Sequence, residues 1–220
     1  MIVVSPGAPE RSALERIGLR FDPQVNRHDG QGTASVTVEL ENAYLELTWV
    51  EPTVPISPGL ERVTEKFRQR AAWRTSGASP IGIALRRRPG APEALPFPTW
   101  SARADWMQPG ESIEILTPKT ASRAPNLWVV ARSGGLPYDE SGQARNPRPI
   151  GHPLGVRRLT GVRLVEASPP DPESPTGVLT RLGLAKVEPG DSWLLELTLD
   201  GGARGETRDL RPELPLVLRY

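Results

Sequence analysis

The sequence predicts an α+β fold made of two βαβββ modules with an elaborated middle segment, and two observations carry that expectation. The first is a repeat between the ends. Leu14-Glu15-Arg16-Ile17-Gly18-Leu19, with Asp22-Pro23 beyond it, is echoed by Leu179-Thr180-Arg181-Leu182-Gly183-Leu184, with Glu188-Pro189 beyond it. The second is context: each echo follows a β-rich run and precedes strand-like runs, so a short helix stands inside strands at both ends. A sheet of that size has a face that only another layer can cover, so each copy needs a partner.

The elements follow in order. Ile2-Val3-Val4 opens as a strand, Ser5 to Pro9 breaks it, and Pro9 starts a helix through Ile17 that Gly18 stops. Arg20 to Val25 reads as a strand and Asn26 to Gly32 as a loop. From Thr33 to Leu40, Val36, Val38 and Leu40 alternate with Ser35, Thr37 and Glu39. Glu41-Asn42 signals a tight turn. On the next strand, Tyr44 to Val50, Tyr44, Glu46 and Thr48 point one way and Leu45, Leu47 and Trp49 the other. A helix over Leu60 to Trp73 carries a partial apolar stripe of Leu60, Val63, Phe67 and Trp73. Strands are expected at Ile81–Arg86, Ser112–Leu116 and Leu127–Ala131, with Pro89–Pro109 as a loop held by Phe97, Trp100 and Trp106, and Gly134–Pro153 as another loop. The second copy runs from Val156 to Glu166, breaks at Ser168–Pro172, and is capped by Ser174 and Pro175 into a helix to Leu182. Strands Ala185–Val187, Ser192–Leu199 and Leu214–Tyr220 complete it. The divisions are thus 1–50, 51–153 and 154–220.

Composition excludes several functions. A net charge of +1 gives no field for nucleic acid, and Arg86-Arg87-Arg88 and Arg157-Arg158 read as solvated strand ends because no aromatic stacking pattern accompanies them. The absence of cysteine removes disulfides, thiol catalysis and thiolate metal sites. No apolar stretch approaches membrane-spanning length, and the first residues lack the features of a signal peptide, so the expectation is a cytoplasmic bacterial protein. No Gly-x-Ser-x-Gly elbow anchors a hydrolase triad, and Gly30-Gln31-Gly32 is followed by a strand rather than a dinucleotide-binding helix.

Five stretches resemble the glyoxalase-like branch of the vicinal-oxygen-chelate superfamily: Arg16-Ile17-Gly18-Leu19, His28 with Gly32-Thr33, Asn42-Ala43-Tyr44-Leu45-Glu46-Leu47, Gly151-His152-Pro153-Leu154-Gly155, and Leu214-Pro215-Leu216-Val217-Leu218. The likeness covers roughly half of the chain and leaves 51–150 unplaced. It implies curved sheets forming an incomplete barrel around a cavity. Metal-dependent members hold a divalent ion there with His and Glu side chains. Glu46 matches one ligand position, but the first strand of each copy lacks His, and laying Tyr44-Leu45-Glu46 on Pro215-Leu216-Val217 puts Val217 opposite Glu46.

The resemblance therefore implies a protein that binds a small, partly apolar molecule in the cavity, without the full metal site and with no cofactor expected. Tyr44, Glu46, Thr48, His28 and His152 are the candidate ligand contacts. The alternative is a divalent-metal-dependent lyase, isomerase or dioxygenase in which Glu46 is catalytic, as metal ligand or general base, with His28 and His152 as its partners. A structural protein without a ligand is the third reading. The modules can pair within one chain or across a homodimer. An open cavity beside Tyr44, Glu46 and Thr48 favours the ligand readings; a core filled by Trp favours the structural one. Glu114 pairs with Glu46 only if the middle strands join the barrel, and Glu196-Leu197-Thr198 reads as a chance echo of Glu46-Leu47-Thr48.

Overall fold

In the computed structural model, residues 1–103, 107–116, 123–131, 137, 145–147, 149–166 and 171–220 are described. Their architecture is α+β, with short helices and three sheets, none of them closed into a barrel.

The first sheet is built as the alternation predicts. β1 (Ile2–Val3) leads through α1 (Arg11–Arg16) to β2 (Asn26–His28), β3 (Thr33–Glu39) and β4 (Tyr44–Val50), in the spatial order β1-β4-β3-β2. β1 runs parallel to β4, and the remaining pairs are antiparallel. Gly18 ends the helix at φ +89°, a left-handed conformation that only glycine adopts without strain. The second strand lies later than expected. Asn26, Arg27 and His28 pair with Ser35, Ala34 and Thr33, while Arg20–Val25 forms no strand. Residues 29–32 form the turn, with Gly30 and Gly32 both at positive φ.

One face of this sheet belongs to the core. Ala34, Val36, Val38, Leu45, Leu47 and Trp49 join Leu14 of α1 in a single buried cluster that continues into the C-terminal region. Leu14 and Leu47 are fully buried, and truncating either to Ala costs about 2–5 kcal/mol.

The middle segment repeats the first sheet's topology. β5 (Gly82–Leu85), β6 (Thr99–Ala102), β7 (Ile113–Leu116) and β8 (Asn126–Val129) take the order β5-β8-β7-β6, with the first strand again parallel to the last. A loop rather than a helix joins β5 to β6. The two sheets meet at their first strands: Ile2 bridges Ile81 antiparallel, Val3 N–H donates to Pro80 O (2.8 Å), and Gly82 N–H donates to Met1 O (3.0 Å). The topological partner of 1–50 is therefore 81–131, within the segment the sequence reading left as elaboration. β6 falls in the stretch expected to be a loop, where Phe97 is buried but Trp100 is 37% exposed. Trp106, the third expected anchor, lies outside the described residues.

The C-terminal copy has the expected element order through its first three strands but a different connectivity. β9 (Leu159–Glu166), β10 (Lys186–Pro189), β11 (Leu194–Leu199), β12 (Thr207–Asp209) and β13 (Leu216–Arg219) form a sheet in the order β10-β9-β11-β13-β12. Its first strand is parallel to the second, across the helix Pro175–Arg181, instead of to the last. That helix is capped as expected, Ser174 Oγ accepting from Gly177 N–H at 3.1 Å with Pro175 in the first turn. The break expected at Ser168–Pro172 falls largely outside the described residues. This sheet is tied to the first by Asn42, whose side chain mimics a strand pair: Nδ2 donates to Leu159 O (2.8 Å) and Oδ1 accepts from Leu159 N–H (2.9 Å).

α2 (Glu61–Ala71), followed by a single turn at Trp73–Ser76, covers the other face of the first sheet. It is clamped at both ends. Fully buried Thr64 donates to Gln31 O (2.8 Å) in the β2–β3 turn. Arg70, also buried, donates to Ser79 O and to Ala124 O (3.0 Å) beside the middle strands. Burial pushes the pKa of the Arg70 guanidinium down to about 10.

Candidate binding site

The second face of the first sheet is polar and nonetheless covered. Register places Glu39 opposite Tyr44, Thr37 opposite Glu46, and Ser35 opposite Thr48. Thr33 and Ser35 are fully buried, and Thr37 and Thr48 nearly so. A covered sheet face is ordinarily apolar, because each hydroxyl taken from water must find a partner or cost free energy. Here Thr48 Oγ1 is buried with no hydrogen-bond partner.

Between this face and its cover lies a cavity of about 290 Å³. His28, Tyr44, Glu46 and Thr48 line it, so four of the five candidate contacts meet at one place. Opposite them stands an apolar wall that sequence reasoning missed: Val63 and Phe67 of α2, Ile113 and Ile115 of β7, and Trp128 of β8. The wall depends on contacts between distant segments. The register that puts Thr37 beside Glu46, by contrast, was available from the two alternations and the short turn between them.

His28 Nδ1 lies 2.9 Å from Thr33 Oγ1, and its Nε2 is 3.5 Å from Ser35 Oγ and 3.8 Å from Glu46 Oε1. The last separation is too long for a hydrogen bond, but it lets one ligand oxygen or nitrogen sit about 2.8 Å from both. Glu46 has no hydrogen-bond partner among the described residues, and its side chain is 13% exposed. Burial, then the charges of Glu46 and Glu39, pushes the Tyr44 phenol up to about 12, so it remains an O–H donor at neutral pH. The cavity thus offers a carboxylate acceptor, a phenol donor, an imidazole and an unpartnered hydroxyl.

His152 is elsewhere. Its Nδ1 accepts from Arg20 N–H (3.1 Å) and its Nε2 donates to Glu39 O (3.1 Å), so both ring nitrogens are committed to backbone and fasten a loop against the first module. The same loop closes over Gly18, whose carbonyl accepts from Leu154 N–H at 2.9 Å. The set Glu46, His28 and His152 is therefore not assembled, and among the described residues no three His, Cys, Asp or Glu side chains come together to hold a metal ion. The residues present do not fit the superfamily's chelate centre.

Glu114 does not face Glu46 either. Ile113 and Ile115 line the cavity, while Glu114 turns to the opposite face and accepts from Thr99 (3.0 Å), Ser101 (2.7 Å) and Ser112 (2.6 Å). Of the tryptophans, Trp49 fills core and Trp128 walls the cavity. Arg157 and Arg158 pair with Glu41 rather than standing free in solvent. No helix among the described residues is long and apolar enough to cross a membrane. No protein-family model, curated protein or solved structure matches the chain.

Proposed function

We propose that this chain is a glyoxalase-like small-molecule-binding protein that holds a partly apolar ligand in the cavity beneath α2. One observation carries the reading: a covered sheet face that keeps Glu46 without a hydrogen-bond partner and Thr48 Oγ1 buried and unbonded. A face built only for stability would exchange those groups for apolar ones or pair them. Facing Val63, Phe67 and Trp128, they suit a molecule with one apolar side and one hydroxyl or amine. The donor goes to Glu46, and the ligand's own lone pair accepts from Tyr44. Support for the glyoxalase-like arrangement comes from strand order: two four-stranded units share the order first-fourth-third-second and join at their first strands.

The test is ligand-observed NMR with n-hexanol, phenol and benzylamine as probes. Wild type is expected to bind at least one, Glu46→Gln to bind it about tenfold more weakly, and Glu114→Gln, altered on the far face, to bind it as wild type does. Equal binding by wild type and Glu46→Gln, or no binding of any probe, overturns the reading.

A further inference from the structure

A second cavity of about 290 Å³ adjoins the first. Both are lined by Met1, Tyr44, Glu46, Trp128 and Val130, so they lie on two sides of one partition. Beyond that partition the second cavity runs between the paired sheets and the C-terminal layer, among Ile83, Leu159, Val162, Leu184, Leu195 and Leu197. Its remaining polar side chains are already engaged: Asn42 is bonded both ways to the Leu159 backbone, and Arg86 has interactions of its own. Away from Tyr44 and Glu46 at the partition and Arg86 at its edge, the lining is chiefly apolar and suits hydrocarbon.

The partition stands where the first strands of the two sheets meet. Gly82 occupies that junction, and a Cβ there would run into Met1 Cε and the Trp128 ring. Those two side chains thus lie across a glycine that yields them the space. Methionine is unbranched and flexible, so its chain swings aside at little cost.

We propose that the two cavities form one bipartite site for an aliphatic alcohol, with the hydroxyl held by Glu46, His28 and Thr48 and the alkyl chain passing Met1 and Trp128 into the second cavity. The proposal rests on the first cavity being a binding site and adds the ligand class. Together the cavities measure about twice the first alone, since each is about 290 Å³. Each holds about ten water-sized groups at roughly 30 Å³ apiece, so a medium-length chain fills both.

Isothermal titration of the full chain with alcohols from n-butanol to n-dodecanol tests it. Affinity is expected to rise about fourfold per added methylene and to keep rising after the first cavity is full. Leu184→Asp changes a residue that is 43% exposed and so leaves the fold intact. It is expected to flatten the rise for the longer alcohols and leave the shorter ones unchanged. Val162→Trp, which fills the second cavity, is expected to do the same by occupying space rather than adding charge. If the rise stops at the same chain length in wild type and both variants, the bipartite site is wrong while the first cavity stands. If no alcohol binds at any length, this inference falls, while the binding function falls with it only if phenol and benzylamine also fail to bind.

Discussion

Glu46-Leu47-Thr48 and Glu196-Leu197-Thr198 are the same three residues on interior strands of two different sheets, and they meet opposite surroundings. In both, the Leu is buried in the shared core. The carboxylates differ in what faces them across the strand pair. Arg163 stands opposite Glu196 and donates to it at 3.0 Å, and Arg219 donates from the other side at 2.8 Å. Those guanidiniums, Arg219 first, hold the Glu196 carboxyl below its usual range. Opposite Glu46 stands Thr37, and among the described residues no arginine pairs with it. Glu196 is held directly by two guanidiniums, whereas Glu46 has the His28 ring at 3.8 Å, the charge of the buried Met1 amine near it, and a cavity in front of it. The difference separates scaffold from site.

The strongest way to break that contrast is to remove the paired carboxylate. Glu196→Ala is expected to destabilise the protein by about 2 kcal/mol in denaturant titration. A fully buried pair would lose about 3–5 kcal/mol, but Arg219 is half exposed and solvent screens part of its interaction. A loss below about 0.5 kcal/mol would mean that the Arg163–Glu196–Arg219 cluster is surface decoration, and the comparison would lose its structural arm.

Glu46→Gln should do the reverse: no loss of stability, and about tenfold weaker binding, worth about 1.4 kcal/mol. Thr48→Val sharpens the point further. Removing a buried hydroxyl without a partner is expected to stabilise the chain by about 1 kcal/mol while weakening the binding of hydroxyl-bearing probes. Stabilisation accompanied by undiminished binding would place Thr48 outside the ligand's reach.

The same contrast explains what could be read from the sequence. The first sheet was legible because β3 and β4 each carry strict alternation over a full strand, which fixes Tyr44, Glu46 and Thr48 on one face before any coordinates exist. In the middle sheet β5, β7 and β8 fall where strands were expected, but β6 and the way the four strands join were not legible. β6 is four residues long inside a Pro-rich stretch, too short for a period to emerge, and Trp100 on it is exposed where it was expected to help hold a loop. β12 was invisible because all three of its residues are exposed. The end-to-end repeat around Gly18 and Gly183 was real as a local motif, a helix stopping at a left-handed glycine in both places, yet local letters do not specify strand order. His28 and His152 looked equivalent as loop histidines. What separates them is their partners: side-chain oxygens and a carboxylate for the first, two backbone groups for the second.

That last difference gives the smallest expected effect and a direct test of His152 as a fastener. Because Nδ1 accepts from the Arg20 amide, the ring proton must be on Nε2 to donate to Glu39 O, which is the neutral imidazole. Protonation would put a second proton against the Arg20 N–H. Burial lowers the pKa of this ring, the Glu39 bond partly opposes the shift, and the charge of Arg20 adds to it. The fold therefore favours the neutral form, so the unfolded chain takes up the proton at higher pH than the folded one. The stability contributed by His152 is complete above its ordinary value of about 6.5 and is lost as pH falls through the lowered one. His152→Gln keeps a donor for Glu39 and loses one bond, costing about 1 kcal/mol at neutral pH. The thermal midpoints of wild type and variant are expected to converge as the buffer goes from about pH 7 to about pH 5.5, the interval in which an imidazole takes up its proton. Parallel midpoints across that interval would mean that protonating the ring costs the fold nothing, and the neutral form would not be what fastens the loop.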